Sequence, residues 1–228
     1  MSKKVFIGVG HGGTDPGACA NGFKEKDLNL AVAKSVNNEL IRHGVSVMMS
    51  RTKDEADTTN DEVKECNKFN PTLAVDIHHN AGGGDGAEAF HHHGGGTGKT
   101  LANNILSEIV SIGQKSRGAK TKKNSSGKDY YAFIRDTKAP AVIVECAFVD
   151  NAEDIKIVDS AAKQKTMGIA IAKGILKTLG ITYVPQISKK ESDTLYRVQV
   201  GAYKDKKNAE ALKKLLEKAG FSAVIVKA

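Results

Sequence analysis

The sequence predicts an α/β protein built on a mostly parallel sheet with helices on both faces, followed by a small second module. Three observations carry this expectation. Short apolar runs, Val5-Phe6-Ile7, Leu73-Ala74-Val75 and Ala141–Val144, have the length and branched side chains of buried strands. Stretches of helical periodicity separate them, the arrangement that makes parallel strands with crossover helices. Each run also leads into chemistry: to His11 through a glycine-bearing loop, to His78, and to Glu145. In open α/β sheets ligands bind outside the carboxyl ends of the strands.

The elements follow in order. After the Val5–Ile7 strand, Gly8, Gly10, Gly12, Gly13 and Gly17 give a loop able to wrap closely around an ion or substrate. That loop closes on Glu25, just before a helix over Asp27–Arg42 whose Leu28, Val32, Val36 and Leu40 form one apolar stripe, with Gly44 as its stop. Val45–Met49 reads as a strand and Asn60–Phe69 as a polar helix. A second strand then ends on His78, and Ala87–Phe90 is strand-like before a helix over Leu101–Ile112. Tyr131–Arg135 reads as a strand or sheet edge. A third strand ends on Glu145, and a helix over Ser160–Leu179 closes the domain.

Two histidines at two strand ends and Glu25 from the loop between them make a His-Glu-His set. Three protein ligands leave the fourth tetrahedral position of Zn²⁺ open to water, the arrangement of catalytic rather than structural zinc. A carboxylate at the third strand end, Glu145, stands where it would take a proton from that water; its bland alternative is a cap or an ion pair. His79 alternates to the other side of the strand and is not counted as a ligand. Asn80 would hold substrate or brace its loop.

The stretches GHGGTDPGA at Gly10–Ala18, KEKDLNL at Lys24–Leu30, DIHHNA at Asp76–Ala81 and PAVIVECAFVDN at Pro140–Asn151 resemble the zinc-dependent N-acetylmuramoyl-L-alanine amidases of the Amidase_3 family. The resemblance runs from about Val5 to about Ile181, with all four motifs in order. It implies one Zn²⁺ held by His11, Glu25 and His78, Glu145 as the catalytic carboxylate, and peptidoglycan as the substrate, cut between N-acetylmuramic acid and L-alanine. The family also shares Ser50-Arg51-Thr52 and places an Arg-Gly pair like Arg117-Gly118 before a substrate-side loop. Three positions depart from its pattern: Gly8-Val9 stands where Asp-Pro is usual, Asp76 where Ser is usual, and Glu62 where Arg is common.

Composition narrows the alternatives. Of 228 residues, 40% are hydrophobic but only 5% aromatic, which fits an aliphatic α/β core. The net charge of +8 suits an anionic partner such as a phosphate-rich wall polymer. Basic and aromatic residues are not interleaved as on an RNA-binding sheet, so no nucleic-acid partner is expected. Nor is a membrane partner, since no apolar run approaches spanning length. MSKKVF lacks the apolar stretch of a signal peptide, so synthesis in the cytoplasm and release to the wall through a pore or by lysis are expected. Cys19, Cys66 and Cys146 are odd in number and form no C-x-x-C, so they read as free thiols. GGGTGKT at Gly94–Thr100 mimics a phosphate-binding P-loop, but the first glycine the motif requires is His93. A P-loop nucleotide-binding protein and a non-catalytic metal-dependent wall-binding protein are therefore the rival readings; His93 argues against the first and Glu145 against the second. His91-His92-His93 reads as an exposed strand end able to bind metal nonspecifically.

Residues 182–193 read as a linker. Beyond it, Leu195–Tyr203 alternates like a strand, Asn208–Ala219 is an amphipathic helix ended by Gly220, and Phe221–Val226 is a second strand. This βαβ unit, 194–228, resembles one repeat of the SPOR-type wall-binding domains, which usually have two. The resemblance implies wall binding, and a unit this small with open strand edges is expected to pair with a second copy as a homodimer.

Overall fold

The structure, a computed structural model, describes residues 3–186 and 198–227. It divides into two units, Met1–Val184 and Pro185–Ala228. The first holds a six-stranded sheet in the order β4-β1-β5-β8-β6-β7. Its strands are β1 (Lys4–Val9), β4 (Ser46–Met49), β5 (Leu73–Asn80), β6 (Ala87–His91), β7 (Ser116–Lys120) and β8 (Ala141–Phe148). A two-stranded ribbon, β2 (Cys19–Ala20) and β3 (Phe23–Lys24), lies in the glycine loop. The helices are α1 (Glu25–Arg42), α2 (Thr59–Phe69), α3 (Gly96–Ser111), α4 (Ala132–Asp136) and α5 (Ala161–Leu179).

β4, β1, β5 and β8 are parallel, and β6 and β7 run the other way, so the mostly parallel sheet is as expected. Helices α1, α3 and α5 bury Leu28, Val32, Leu101, Ile105, Ile171 and Ile175 with the strand side chains Val5, Ile7, Val75 and Val144. On the opposite face α2 and α4 bury Cys66, Phe133 and Ile134 against Phe6, Ala74 and Ile143. The strands carry apolar side chains on both faces because both are covered, which is why they read as continuous apolar runs.

Several expectations are corrected. Tyr131–Arg135 is not a strand: Ala132–Asp136 is the short helix α4, whose Phe133 and Ile134 fill the second core. β7, at the basic Ser116–Lys120 stretch, was not expected; its exposed, glycine-containing sequence has no apolar pattern, and pairing with β6 alone makes it a strand. β5 and β8 continue past His78 to Asn80 and past Glu145 to Phe148, so these residues project from within strands rather than ending them. Glu25 is the first residue of α1, not a loop residue; a carboxylate in the first helical turn is favoured by the helix dipole. α3 begins at Gly96, before the expected Leu101, and takes in the GKT of the P-loop look-alike.

In the second unit the expected helix is present as α6 (Lys206–Lys218), capped by the Asp205 carboxylate accepting from Lys207 N at 2.9 Å. The two expected strands are not: Val198–Tyr203 and Phe221–Val226 have no ladder partner among the described residues, and a strand without one leaves its backbone groups to solvent. Residues 187–197, with most of the expected linker and the start of the first strand, lie outside the described residues. Among the described residues no helix is long and apolar enough to cross a membrane.

Helix α5 reaches its two neighbours through glycines. A Cβ on Gly168 would overlap the Ser35 side chain of α1, and one on Gly174 would stand 2.5 Å from Ile105 Cα of α3. Gly174→Ala gains roughly 0.5–1 kcal/mol of helix propensity but overpacks a backbone contact at about 1–3 kcal/mol. Net destabilisation of about 1–2 kcal/mol is expected in urea unfolding, with unchanged turnover per folded molecule; a variant as stable as wild type would mean that the helices separate at no cost.

Candidate metal centre and active site

Glu25 lies at the carboxyl edge of the parallel strands with both carboxylate oxygens engaged. Oε2 is 3.2 Å from His11 Nε2 and accepts from Ala18 N at 3.0 Å. Oε1 is 3.1 Å from His78 Nδ1 and accepts from His79 N, also at 3.1 Å. Asn29, one turn along α1, donates to Gly10 O at 2.9 Å and approaches the same Oε1. The carboxylate is thus buried between two imidazoles whose rings stand edge to face, centroids 5.3 Å apart. One ligand atom from each of His11, Glu25 and His78 falls within 4.8 Å of the others, so the three residues expected to gather do gather.

The far nitrogens of both rings face carboxylates. His11 Nδ1 is 2.8 Å from Asp15 Oδ2, and His78 Nε2 is 3.1 Å from Asp76 Oδ2. A histidine ligand held by a carboxylate on its other nitrogen has its ring orientation fixed and its basicity raised. The loop that turns His11 inward is sharply bent: His11 itself has φ 63°, an uncommon conformation for a residue with a side chain. Arg51, 1% exposed, ties that bend down by donating to Val9 O, Gly10 O and Lys26 O.

Charges follow from these contacts. Burial opposes ionisation of Glu25, but hydrogen bonds from His11 and His78 outweigh it and hold the carboxyl far below the usual range. The bond to Glu25 raises the His11 pKa. Burial disfavours a charged His78, yet the Asp76 and Glu25 carboxylates prevail and raise its pKa well above the ordinary value. His79, bonded through Nδ1 to Asn29 Oδ1 at 2.7 Å, is pushed down to about 4 by burial and is a neutral structural group, not a ligand.

Glu145 on β8 is the direct register partner of His78 on β5. Its Oε2 is buried without a hydrogen-bond partner among the described residues, and burial raises its pKa to about 7. On its other side the register partner is Glu88 of β6. Glu88 is a residue the sequence reading missed, since nothing in the sequence reveals that β6 runs antiparallel. Its carboxylate accepts from Asn80 Nδ2 (3.0 Å), Arg117 Nε (2.6 Å) and Lys120 Nζ (2.5 Å). Asn80 therefore braces the strands, and Arg117 is an ion-pair partner whose guanidinium also lies over the Phe148 ring at 4.9 Å.

The family profile for N-acetylmuramoyl-L-alanine amidase (Amidase_3) matches residues 5–177, most of the chain. The chain belongs to the N-acetylmuramoyl-L-alanine amidase family. As a member of that amidase family it is an enzyme that hydrolyses peptidoglycan. A SPOR domain profile matches residues 171–227, starting inside α5. The chain is 33% identical to the N-acetylmuramoyl-L-alanine amidase CwlM of Bacillus licheniformis over 98% of this chain and 84% of that protein. It is equally similar, over the same shares, to the sporulation-specific N-acetylmuramoyl-L-alanine amidase of Bacillus subtilis. The solved structure of AmiC2 amidase from Nostoc punctiforme superposes with a TM-score of 0.71 at 30% identity, covering 78% of this chain and 97% of that one.

Two further groupings differ from the amidase centre. His92 Nε2 and His93 Nδ1 lie 3.1 and 2.9 Å from Asp129 Oδ2. Gly94 N donates to His92 Nδ1 at 3.0 Å, so a neutral His92 carries its proton on Nε2 and turns an N–H, not a lone pair, toward Asp129. This is a hydrogen-bonded cluster at the far edge of the sheet, where His91 pairs with Val142; His91 itself is buried, not exposed as expected. Cys19, exposed, is outside the ligand group.

Behind β1, Glu62 accepts from Val9 N at 3.1 Å and Ser50 Oγ at 3.0 Å. Burial, with Asp76 and Asp57 nearby, pushes its pKa from 4.5 up to about 8. An acid so shifted stabilises the fold while protonated; the contribution is full below about pH 4.5 and lost as pH rises through about 8. Glu62→Gln keeps the acceptor and removes the titration. Its melting temperature should exceed that of wild type at about pH 9 by several degrees, about 1–2 kcal/mol at roughly 2–4 °C per kcal/mol, and the difference should vanish near about pH 5. Calorimetry across that range decides; parallel curves would place the titration elsewhere.

Proposed function

We propose that the chain cleaves the amide between N-acetylmuramic acid and the L-alanine of the peptidoglycan stem peptide, with His11, Glu25 and His78 holding one Zn²⁺ and Glu145 moving the proton. The observation that carries this reading is the convergence of His11 Nε2 and His78 Nδ1 on the two oxygens of Glu25, with Glu145 in register beside His78. Two imidazole nitrogens and one carboxylate oxygen within bonding reach of a common point suit zinc and leave a coordination position free. A zinc ion there supplies a Lewis acid that polarises the scissile carbonyl and acidifies water.

The chain's own groups do the rest. Glu145 Oε2, buried and without a hydrogen-bond partner among the described residues, takes the proton of the attacking water and returns it to the departing amine nitrogen as the C–N bond breaks. Its raised pKa, about 7, suits both halves of that exchange near neutrality. Arg117 and Lys120, partly exposed at the rim and only partly neutralised by Glu88, favour an anionic stem peptide there. We assign 1–181 to catalysis, 182–193 to a linker and 194–228 to wall binding, the last supported by the SPOR match. The setting is bacterial wall lysis, that of autolysins and phage endolysins alike.

Metal removal should abolish release of stem peptides from muropeptides, and added Zn²⁺ should restore it; full activity in protein shown metal-free by elemental analysis would end this reading. Glu145→Gln should bind zinc normally and lose about a hundredfold or more in turnover. A variant with an empty zinc site would make Glu145 a ligand instead. For the tail, exposed Val198, Val200, Phe221 and Val224 favour pairing of two copies that supply each other's strand partners. Light scattering at roughly tens of micromolar, a range that detects weak association, should give a dimer; a monomer would remove that role.

A further inference from the structure

Strand β1 and the residue just past its end carry glycine at alternate positions, 8 and 10, and these glycines face the side chains of β5. A Cβ on Gly8 would stand 2.7 Å from Asp76 Oδ1, and one on Gly10 would overlap the imidazole of His78. Gly8 is also the register partner of Asp76. Asp76 and His78, two residues apart and on one side of β5, therefore lean across Gly8 and Gly10, which offer no side chains there. In that slot Asp76 Oδ2 is 3.1 Å from His78 Nε2, while Oδ1 is buried with no hydrogen-bond partner among the described residues. The Asp76 side chain is 4% exposed, so water does not replace the contact.

We infer that Asp76 is the positioning residue of the second metal ligand: its carboxylate takes the Nε2–H of His78 and so presents Nδ1, the nitrogen facing Glu25, as the donor to metal. Geometry alone carries this. A neutral imidazole has one N–H and one lone pair, and the nitrogen that donates to a carboxylate is not the one that binds metal. Among the described residues Asp76 is the group bonded to Nε2, just as Asp15 is bonded to the far nitrogen of His11. The slot admits one carboxylate, because side chains at both 8 and 76 would collide. A carboxylate on β1 would serve if β5 gave up its own.

This inference rests on His11, Glu25 and His78 being the zinc site, and the experiment separates the two. Zinc stoichiometry and dissociation constant are measured against a chromophoric chelator for wild type, His78→Ala, Asp76→Ser, Gly8→Asp and the Gly8→Asp/Asp76→Ser double variant, with thermal melts in parallel. His78→Ala should lose zinc; if it binds as wild type does, the site assignment falls. With that assignment intact, Asp76→Ser should weaken zinc by about tenfold to a hundredfold, the range for loss of a ligand's supporting carboxylate. Gly8→Asp alone should melt lower than wild type, and the double variant should regain most of the lost affinity, so that the two changes are strongly non-additive. Long-range ¹H–¹⁵N spectra of the zinc-loaded protein should place the His78 proton on Nε2 in wild type and in the double variant. Should Asp76→Ser fail to fold, Asp76→Asn keeps the shape and removes the charge, and should weaken zinc severalfold. Wild-type affinity in whichever Asp76 variant folds, or a His78 proton on Nδ1, would overturn the inference.

Discussion

Everything at the site depends on one buried carboxylate shared between two rings. Glu25 is buried, so its oxygens must be satisfied by protein, and four groups from three segments do this: the loop at Ala18, the bend at His11, and on β5 the backbone of His79 and the ring of His78. Burying an ionised acid is costly unless each lone pair finds a donor. That requirement fixes the start of α1 against the end of β1 and the last residues of β5, and Asn29 and Arg51 hold the same junction from behind. The attraction between this carboxylate and the two imidazoles holds the three side chains together within the protein itself. This is preorganisation by charge pairing.

Much of this could be read from the chain. Apolar runs marked β1, β5 and β8 because strands covered on both faces need apolar residues on both, and helix α1 announced itself by its stripe. His11, His78 and Glu145 were legible because each follows or sits in such a run, and Glu25 because the glycine loop closes on it. What escaped depends on partners distant in sequence. β7 is a strand only because β6 lies beside it, and α4 had too few residues to display a period. Glu88 became part of the site only once β6 was seen to reverse, bringing the start of that strand, not its end, beside Glu145. Gly8 and Asp76 stood out separately as departures from the family pattern; that they face each other is a matter of register between β1 and β5, which neither local stretch encodes. The tail strands failed for the complementary reason: the alternation is present, but a ladder needs a second strand.

The buried acids also set a balance. Glu62 and Glu145 each have Asp76 nearby, and Asp57 adds to the crowding at Glu62. Glu62 and Glu145 keep their protons toward neutrality, while the Asp76 side chain faces His78 Nε2. Glu88 is ionised because Arg117 and Lys120 are beside it, although burial opposes it. Like charges therefore crowd the site without unfolding it, because protons and cations are distributed residue by residue.

The end of the catalytic unit has a mechanical meaning. Past α5 the chain stacks Tyr183 on His43, ring centroids 5.1 Å apart, and Val184 N donates to His43 Nε2 at 3.0 Å while Arg42 donates to Val184 O. These contacts clamp the exit of the unit to the last turn of α1, whose first turn carries Glu25. Eighteen helical residues put about 27 Å between the two ends. A pull on the chain beyond Val184 meets the stacked ring and the Val184 bonds before it meets the sheet, and the clamp can yield like a fuse while Glu25, a helix length away, keeps its place.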